Sequence, residues 1–428
     1  EARASIAMGD LLSRLGEVTR RGDPIGLLLL RLARYHTVVA GLGHRAADQL
    51  LAAAAARLAE RVAAAELPQA TLHRLEGETF AIAAPVGDRL ALARFADALV
   101  REFAVPIAEG EQSVVLDLVT GYARTPDDAP TGDDLLQAAE LALQAAQSSP
   151  AAIAGYSEEL GRDRRAALAL EQALRQALGT GQFEFFFQPQ LDGAGKLVGA
   201  ETLIRWRHPD RGLVSPADFI PVAETSGLIV PIGREVLTAA CSQGRAWLEA
   251  GRPPLLIAVN VSARQCVQSG FVDEVAAVLG ETGYPPHWLE LEITESVAAQ
   301  DAEATVALLA ALKALGVRLA IDDFGTGFSS LSYLRRFPID KLKVDQSFVR
   351  GLPDDGQSAA IARTVIALGR ELSLTVIAEG VETEAQETWL VAHGCHELQG
   401  FRYSRPLPAG EFDRWRAALA GLSYAPAA

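Results

Sequence analysis

At 428 residues the chain exceeds one ordinary hydrophobic core and suits two domains of about 100 to 250 residues each. Its 49% hydrophobic and 22% charged residues describe a globular protein, and a net charge of −15 argues against one that coats nucleic acid, because neutralising phosphate needs basic surface. Three scattered cysteines, Cys241, Cys266 and Cys395, lack metal-like spacing and read as buried thiols in a reducing compartment.

The chain opens on Glu1 without a Met or a signal-like segment, which reads as a cytoplasmic piece of a longer protein whose upstream part, such as a sensor domain, is missing. Apolar runs such as IGLLLL, residues 25–30, fall far short of the roughly 18 to 20 residues of a membrane span. Residues 1 to about 150 alternate helical Ala/Leu stretches, notably DQLLAAAAARLAERVAAAE from Asp48, with strand-like IGLLLLRL, TFAIAAP and SVVLDLVTGYA. The pattern predicts a small mixed α/β domain over 1–155, closed by a capped helix that stops at QSSP, then a linker over 156–165.

From residue 166 to 428 one theme repeats: an apolar strand, a polar residue at its end, then a helix. The strands read FEFFFQPQL, LVGAETLIRW, LLIAVNVSA, LELEITES, VRLAIDDFG, DKLKVDQSF, LTVIAEGVE and HELQGFRYS, with intervening stretches such as DAEATVALLAALKALG at helical period. Eight strands with helices between them predict an α/β fold of the TIM-type (β/α) barrel kind. The short DGAGK turn between the first two strands predicts one antiparallel strand and an irregular barrel.

In such a barrel the site lies at the C-terminal strand ends, where the chain places Glu201, Asn260, Glu292, Asp322, Asp323, Lys343, Glu379 and Gln399. Carboxylates crowded at one mouth repel one another unless cations intervene. An all-oxygen donor set without Cys or His favours Mg²⁺ or Mn²⁺ over zinc. The adjacent Asp322 and Asp323 suit two metals about 3.5 to 4 Å apart, the arrangement of two-metal phosphodiester cleavage. Lys343 then balances charge on the attacking water or the phosphate, and Arg205 can hold a phosphate that no metal reaches. Taken singly, each acid has a plainer reading as a helix cap or surface ion pair; the set carries the argument. His208, His287, His393 and His396 read as surface or packing residues, Arg207 as solvated, and Trp206 with the Phe183–Phe187 cluster as core.

These residues also carry a resemblance. FFQPQ, ETLIRWRHPDRGLVSPADFIPVAETSGLI, NVSA, LEITES, IDDFGTGFSSLSYLRRFPIDKLKVDQSFV, IAEGVET and LQGFRYSRPLP occur in the order of the EAL-domain family of cyclic di-GMP phosphodiesterases, which residues 166–428 resemble almost throughout. The resemblance implies hydrolysis of cyclic di-GMP to linear pGpG, with Glu201, Asn260, Glu292, Asp322 and Glu379 binding two Mg²⁺ or Mn²⁺ ions and Asp323 as a further ligand or base. It implies that Lys343 orients the water with support from Gln399, and that Gln188, Leu203 and Arg205 contact the dinucleotide. Glu295 would brace the DDFGTGFSS loop, the family's metal-sensing element, through which a homodimer is linked. Two departures stand out: Thr202 replaces the Ala of the signature, adding a hydroxyl and β-branching beside Glu201, and Phe328 replaces the usual Tyr.

Residues 1–155 resemble a degenerate GGDEF domain, the diguanylate cyclase fold. Glu76-Gly77-Glu78-Thr79-Phe80 stands for the signature, Arg31 for the metal-binding Asp, and Val39-Ala40 for the usual Asn-Asp pair, while Gly43-His44 and Asp48 are kept. A bulky anion at Glu76 blocks the close backbone approach that Gly permits. The Arg and Asp of the product-inhibition site fall on Leu67 and Ala70. Cyclase chemistry should therefore be absent. Retention of the acids favours an enzyme over the alternative, a cyclic di-GMP receptor that binds with little turnover, and over a scaffold that uses neither ligand.

Overall fold

The run IGLLLLRL forms β1 (Ile25–Leu32), the middle strand of a five-stranded sheet in a computed structural model that describes residues 2–64, 67, 69–109, 112–295, 302–325 and 334–422. The chain divides into two units, Glu1–Leu168 and Ala169–Ala428. The dividing point falls inside a helix, Glu158–Ala177, so the stretch read as a linker over 156–165 is helical from Glu158 onward.

In the first unit the sheet runs β2 (Thr71–Arg74), β3 (Thr79–Pro85), β1, β6 (Leu118–Arg124), β7 (Ile153–Gly155), and β4 (Ile107–Glu109) with β5 (Gln112–Val114) makes a separate hairpin. The stretch SVVLDLVTGYA is thus two strands, because the chain leaves the β4 hairpin at Val114 and joins β1 only from Leu118. β1 is apolar throughout because both of its faces are covered. Leu28 and Leu30 pack with Leu50, Leu58 and Phe95, whereas Leu27 and Leu29 pack with Leu11, Leu135 and Leu143. A Cβ on Gly121 would lie 2.0 Å from the backbone nitrogen of Leu143, so this glycine is what lets the helix Gly132–Gln147 seat on β6. Thr131 caps that helix by accepting from the Asp134 amide.

The second unit is a closed barrel of β8 (Phe183–Asp192), β9 (Leu197–His208), β11 (Leu256–Val261), β12 (Leu289–Thr294), β13 (Arg318–Phe324), β14 (Lys341–Val344), β15 (Thr375–Ala378) and β16 (Glu397–Gln399). β10 (Gly212–Val214) and β17 (Leu407–Pro408) extend it at β9 and β8. As the DGAGK turn requires, β8 is the one strand antiparallel to its neighbours, β9 and β16; the others run parallel.

Strand alternation explains why the apolar runs carry charge. Leu289, Leu291 and Ile293 join the core beneath the surrounding helices, each worth about 1.5 to 3 kcal/mol of burial. Glu290 and Glu292 alternate with them and are buried inside the barrel. Trp206, Phe183 and Phe187 are core, as expected, with Phe185 and Phe186 half-buried. Among the described residues no helix is long and apolar enough to cross a membrane.

Candidate active site

Glu201 on β9, Glu292 on β12, Lys343 on β14 and Gln399 on β16 come from alternate strands and form one tier of four buried side chains, the layer pattern of a (β/α) barrel. Asn260 is the last but one residue of β11, Asp322 and Asp323 lie on β13, and Glu379 directly follows β15. The strand-end census thus lands on one mouth.

Two groups of contacts organise it. Asn260 Nδ2 donates to Glu201 Oε1 at 2.6 Å, and Gln399 Nε2 donates to Glu201 Oε2 at 2.5 Å and to Gln188 Oε1 at 3.1 Å. On the other side Lys343 Nζ lies 2.6 Å from Glu292 Oε2, 3.2 Å from Asp322 Oδ2 and in contact with Glu379 Oε1. Asp322, Asp323 and Glu379 each offer an oxygen within 4.8 Å of the others. Glu295, 2% exposed, accepts at Oε2 from the Gly325 amide at 2.8 Å, which anchors the start of the DDFGTGFSS loop. The remainder of that loop, Phe328 included, lies outside the described residues.

Asp322 and Asp323 are neighbours in sequence, and a regular strand would send them to opposite faces. The ladder between β13 and β14 breaks register between Ile321 and Phe324, and Asp323 sits at φ 54°, in the left-handed region. A non-glycine residue held there at a bulge marks a position whose side chain has been re-aimed, here toward Asp322 and Glu379.

The electrostatics are lopsided. Five carboxylates, Glu201, Glu292, Asp322, Asp323 and Glu379, face one ammonium, Lys343. Burial alone would lower the Lys343 ammonium, but Asp322, Glu201, Glu292 and Glu379 outweigh it and hold it well above its ordinary value. Burial raises Glu292 far above the carboxylate range, against the pull of Lys343. It pushes Glu379 up to about 8, with Asp322 and Glu201 adding to the rise, and Asp323 to about 6, with Asp322 and Asp345 adding. Glu292 Oε1 is fully buried without a hydrogen-bond partner. An orphaned carboxylate oxygen in a set short of positive charge, with only oxygen donors around it, fits a hard divalent cation held by these acids and Asn260.

At the rim, Arg205 is half-buried, donates to the Ile204 carbonyl at 2.8 Å and lies over the Phe186 ring at 5.6 Å; burial lowers its pKa while Glu201 opposes the shift. Leu203, also half-buried, precedes it by two residues on the same strand face. Arg207 is not simply solvated but makes a two-point pair with Glu184, and His208 Nδ1 accepts from the Asp210 and Arg211 amides, closing the turn to β10. Thr202 pairs in register with Phe187 and Val259, both in the outer core, so its side chain is on the far side of β9 from Glu201. The expectation that its hydroxyl sits beside the metal ligands is corrected by strand alternation. The hydroxyl is instead buried and unpartnered in the outer core.

Two residues below the site tier on the same strands, Glu290, Lys341 and Glu397 form a second ionic tier: Lys341 Nζ is 2.8 Å from Glu290 Oε1 and 2.8 Å from Glu397 Oε2. The strand-end census misses these three. The signal was present in the period-two repeats Glu290-Leu-Glu292, Lys341-Leu-Lys343 and Glu397-Leu-Gln399, which place both members of each pair on the barrel's inner face.

In the first unit, Arg31 on β1 pairs in register with Thr79 on β3, at one side of a cavity of about 340 Å³ that Glu76, Glu140 and Gln144 also line. The residue standing for the metal-binding Asp is therefore beside the altered signature. Leu67 is buried and Ala70 half-buried.

The chain matches the EAL domain family over residues 171–406 and the family described as diguanylate cyclase, GGDEF domain, over residues 6–151. The bifunctional diguanylate cyclase/cyclic di-GMP phosphodiesterase MucR of Pseudomonas aeruginosa is 39% identical over 385 residues, 90% of this chain and 56% of that protein. The cyclic di-GMP phosphodiesterase NbdA of the same organism is 36% identical over 397 residues, 92% of this chain and 50% of that protein. A solved structure described as PaMucR phosphodiesterase, c-di-GMP complex, is similar with a TM-score of 0.56 at 47% identity, covering 57% of this chain and 99% of that one. The chain belongs to the EAL domain family, with a GGDEF domain ahead of the EAL domain. It spans about half the length of these two curated relatives.

Proposed function

We propose that the barrel hydrolyses cyclic di-GMP to linear pGpG with two bound Mg²⁺ or Mn²⁺ ions, and that the first unit has no cyclase activity and serves as a regulatory or structural module in bacterial second-messenger signalling. The observation that carries the reading is the set of five carboxylates and Asn260 at one mouth, with a single ammonium and an orphaned Glu292 oxygen among them. The relatives described as cyclic di-GMP phosphodiesterases support the choice of substrate.

Glu201, Asn260, Glu292, Asp322, Asp323 and Glu379 hold the metals. When bound, the ions would supply a water activated at neutral pH and charge stabilisation at the leaving oxygen. Lys343, within reach of Glu292, Asp322 and Glu379, fixes three ligands and offers positive charge to the nucleophile and the phosphate. Asp323, beside Asp322 and Glu379, is placed either as a further ligand or as the base that takes the proton as the water oxygen bonds to phosphorus. The bond from phosphorus to the 3′ oxygen breaks and that oxygen gains a proton, opening the ring. Gln399 holds Glu201 in orientation, while Gln188, Leu203 and Arg205 line the path of the dinucleotide at the rim.

In the first unit Arg31 puts a cation where a metal ligand is needed and Glu76 brings a carboxylate where phosphate must approach. No cyclic dinucleotide should form from GTP when the barrel is silenced by Glu201→Ala. The direct test incubates the pure protein and the Glu201→Ala variant with cyclic di-GMP and Mg²⁺. Turnover to pGpG by the parent and its loss in the variant support the reading. Intact cyclic di-GMP binding without pGpG at high enzyme concentration leaves a receptor.

A further inference from the structure

We infer that Gln190, on β8, is a positioning residue that holds the Gln399 amide in place from behind and thereby presents Glu201 to the metals; Gly199 provides the space it occupies. The inference rests on the metal-dependent reading above and extends it to a residue outside the mouth.

The Ser404 carbonyl can only accept, so Gln188 turns Nε2 to it at 3.2 Å and is left with Oε1 facing Gln399. Glu201, ionised, can only accept. Gln399 must therefore spend Nε2 on Gln188 Oε1 and Glu201 Oε2. That leaves Gln399 Oε1 pointing away from the site, in a place 3% exposed where an acceptor without a donor costs about 1 to 3 kcal/mol. Gln190 Nε2 supplies the donor at 3.0 Å. Without it, the Gln399 amide is held only from the Gln188 and Glu201 side, and its oxygen is left a buried acceptor with no donor.

The barrel keeps Gln190 there at some cost. It is completely buried and sits in register between Gly199 on β9 and Gln399 on β16. Its own Oε1 has no partner. A Cβ on residue 199 would come within 2.6 Å of that oxygen, so a side chain at the start of GAETLIRW would displace the Gln190 amide from its present place. An unpartnered oxygen and a missing side chain are both tolerated in the interior at the one spot that sets Gln399.

The experiment titrates metal-stripped full chain with Mn²⁺ by calorimetry and follows pGpG formation in parallel, for the parent, Gln190→Met, Gln190→Lys and Gly199→Ala. Gln190→Met matches the side chain in length and removes the donor; it exchanges one orphaned oxygen, on residue 190, for another on Gln399, so the melting temperature should stay within a few degrees. Mn²⁺ binding should nonetheless weaken about tenfold, the lower end of the range for groups that orient a metal ligand. Gln190→Lys keeps a donor and should restore most of that loss, and Gly199→Ala, which displaces the side chain, should resemble Gln190→Met. Gln190→Met binding Mn²⁺ as tightly as the parent, or Gln190→Lys losing as much as Gln190→Met, overturns the positioning role while leaving the phosphodiesterase reading intact. A parent that binds no Mn²⁺ removes both.

Discussion

Asp323 follows Asp322 in the chain and still shares its side of the barrel mouth, because the β13 bulge holds Asp323 at φ 54°. Asn tolerates the left-handed region almost as well as Gly, whereas a bulky side chain there costs about 1 to 2 kcal/mol. Asp323→Asn should keep the fold and the parent melting temperature and lose at least tenfold in Mn²⁺ affinity. Asp323→Leu should lose the metal to the same extent and melt several degrees lower. Calorimetric titration and thermal unfolding of the two variants separate the carboxylate from the backbone it sits on; equal melting temperatures for both would show that the bulge stores no strain.

The raised carboxylates give the metal-free protein a pH signature. Burial sets Asp323 near 6 and Glu379 near 8, both above their ordinary values, so in the folded state each acid favours its proton. Such a group contributes stability below its unfolded value, about 4, and loses it as pH rises through the folded value. In chelator, the melting transition of the barrel should fall between pH 5 and pH 8.5. Metal ligands bind ionised, so the gain from Mn²⁺ should grow over the same interval. At a hundredfold excess over its dissociation constant the ion adds about 2.7 kcal/mol. A melting curve whose Mn²⁺ increment is the same at pH 6 and pH 8 would contradict the assignment of these acids as ligands.

The barrel and most of its candidate site were legible because each apolar strand run carries a chemically distinctive polar residue, although Glu201 and Glu292 lie within their strands and not at the ends. Glu201, Asn260, Glu292, Lys343, Glu379 and Gln399 needed no more than that. What the sequence hid depended on register and local backbone. That Asp322 and Asp323 share one mouth was expected, but the bulge that allows it is announced by nothing in RLAIDDFG, and the place of Thr202 follows from counting alternation away from Glu201. The lower ionic tier was hidden for another reason: Glu290, Lys341 and Glu397 precede the strand ends and look like incidental charges until the parallel pairing stacks them. In the first unit SVVLDLVTGYA offers one apolar run, and only tertiary pairing divides it between a hairpin and the main sheet.

Thr202 gives a prediction in the opposite direction from most core changes. Its hydroxyl is buried in the outer core with no partner, on the far side of β9 from Glu201. Replacing it by Val keeps the branched shape and deletes the unsatisfied oxygen, so Thr202→Val should stabilise the protein by about 1 kcal/mol. Turnover of cyclic di-GMP should stay within twofold of the parent, since the side chain reaches neither metal ligand nor substrate. A large change in kcat with unchanged stability would place the hydroxyl in the site after all.

Lys341 tests whether the lower ionic tier supports the mouth above it. The ammonium is 2% exposed between Glu290 and Glu397, and Glu290 is fully buried. Removing the cation leaves two carboxylates facing each other in a low-dielectric interior, a loss of about 3 to 5 kcal/mol for a broken buried pair. Lys341→Met alone should therefore melt well below the parent. Replacing the tier together, Lys341→Met with Glu290→Met and Glu397→Leu, removes the stranded charge and should recover most of the loss, because well-packed apolar groups commonly match a buried ion pair in stability. Turnover measured below both melting transitions then reads the tier's contribution to catalysis separately. A triple variant that is stable and binds Mn²⁺ normally yet turns over slowly would mean that the field of the lower tier acts on Lys343; parent-like turnover would confine the tier to holding the barrel together.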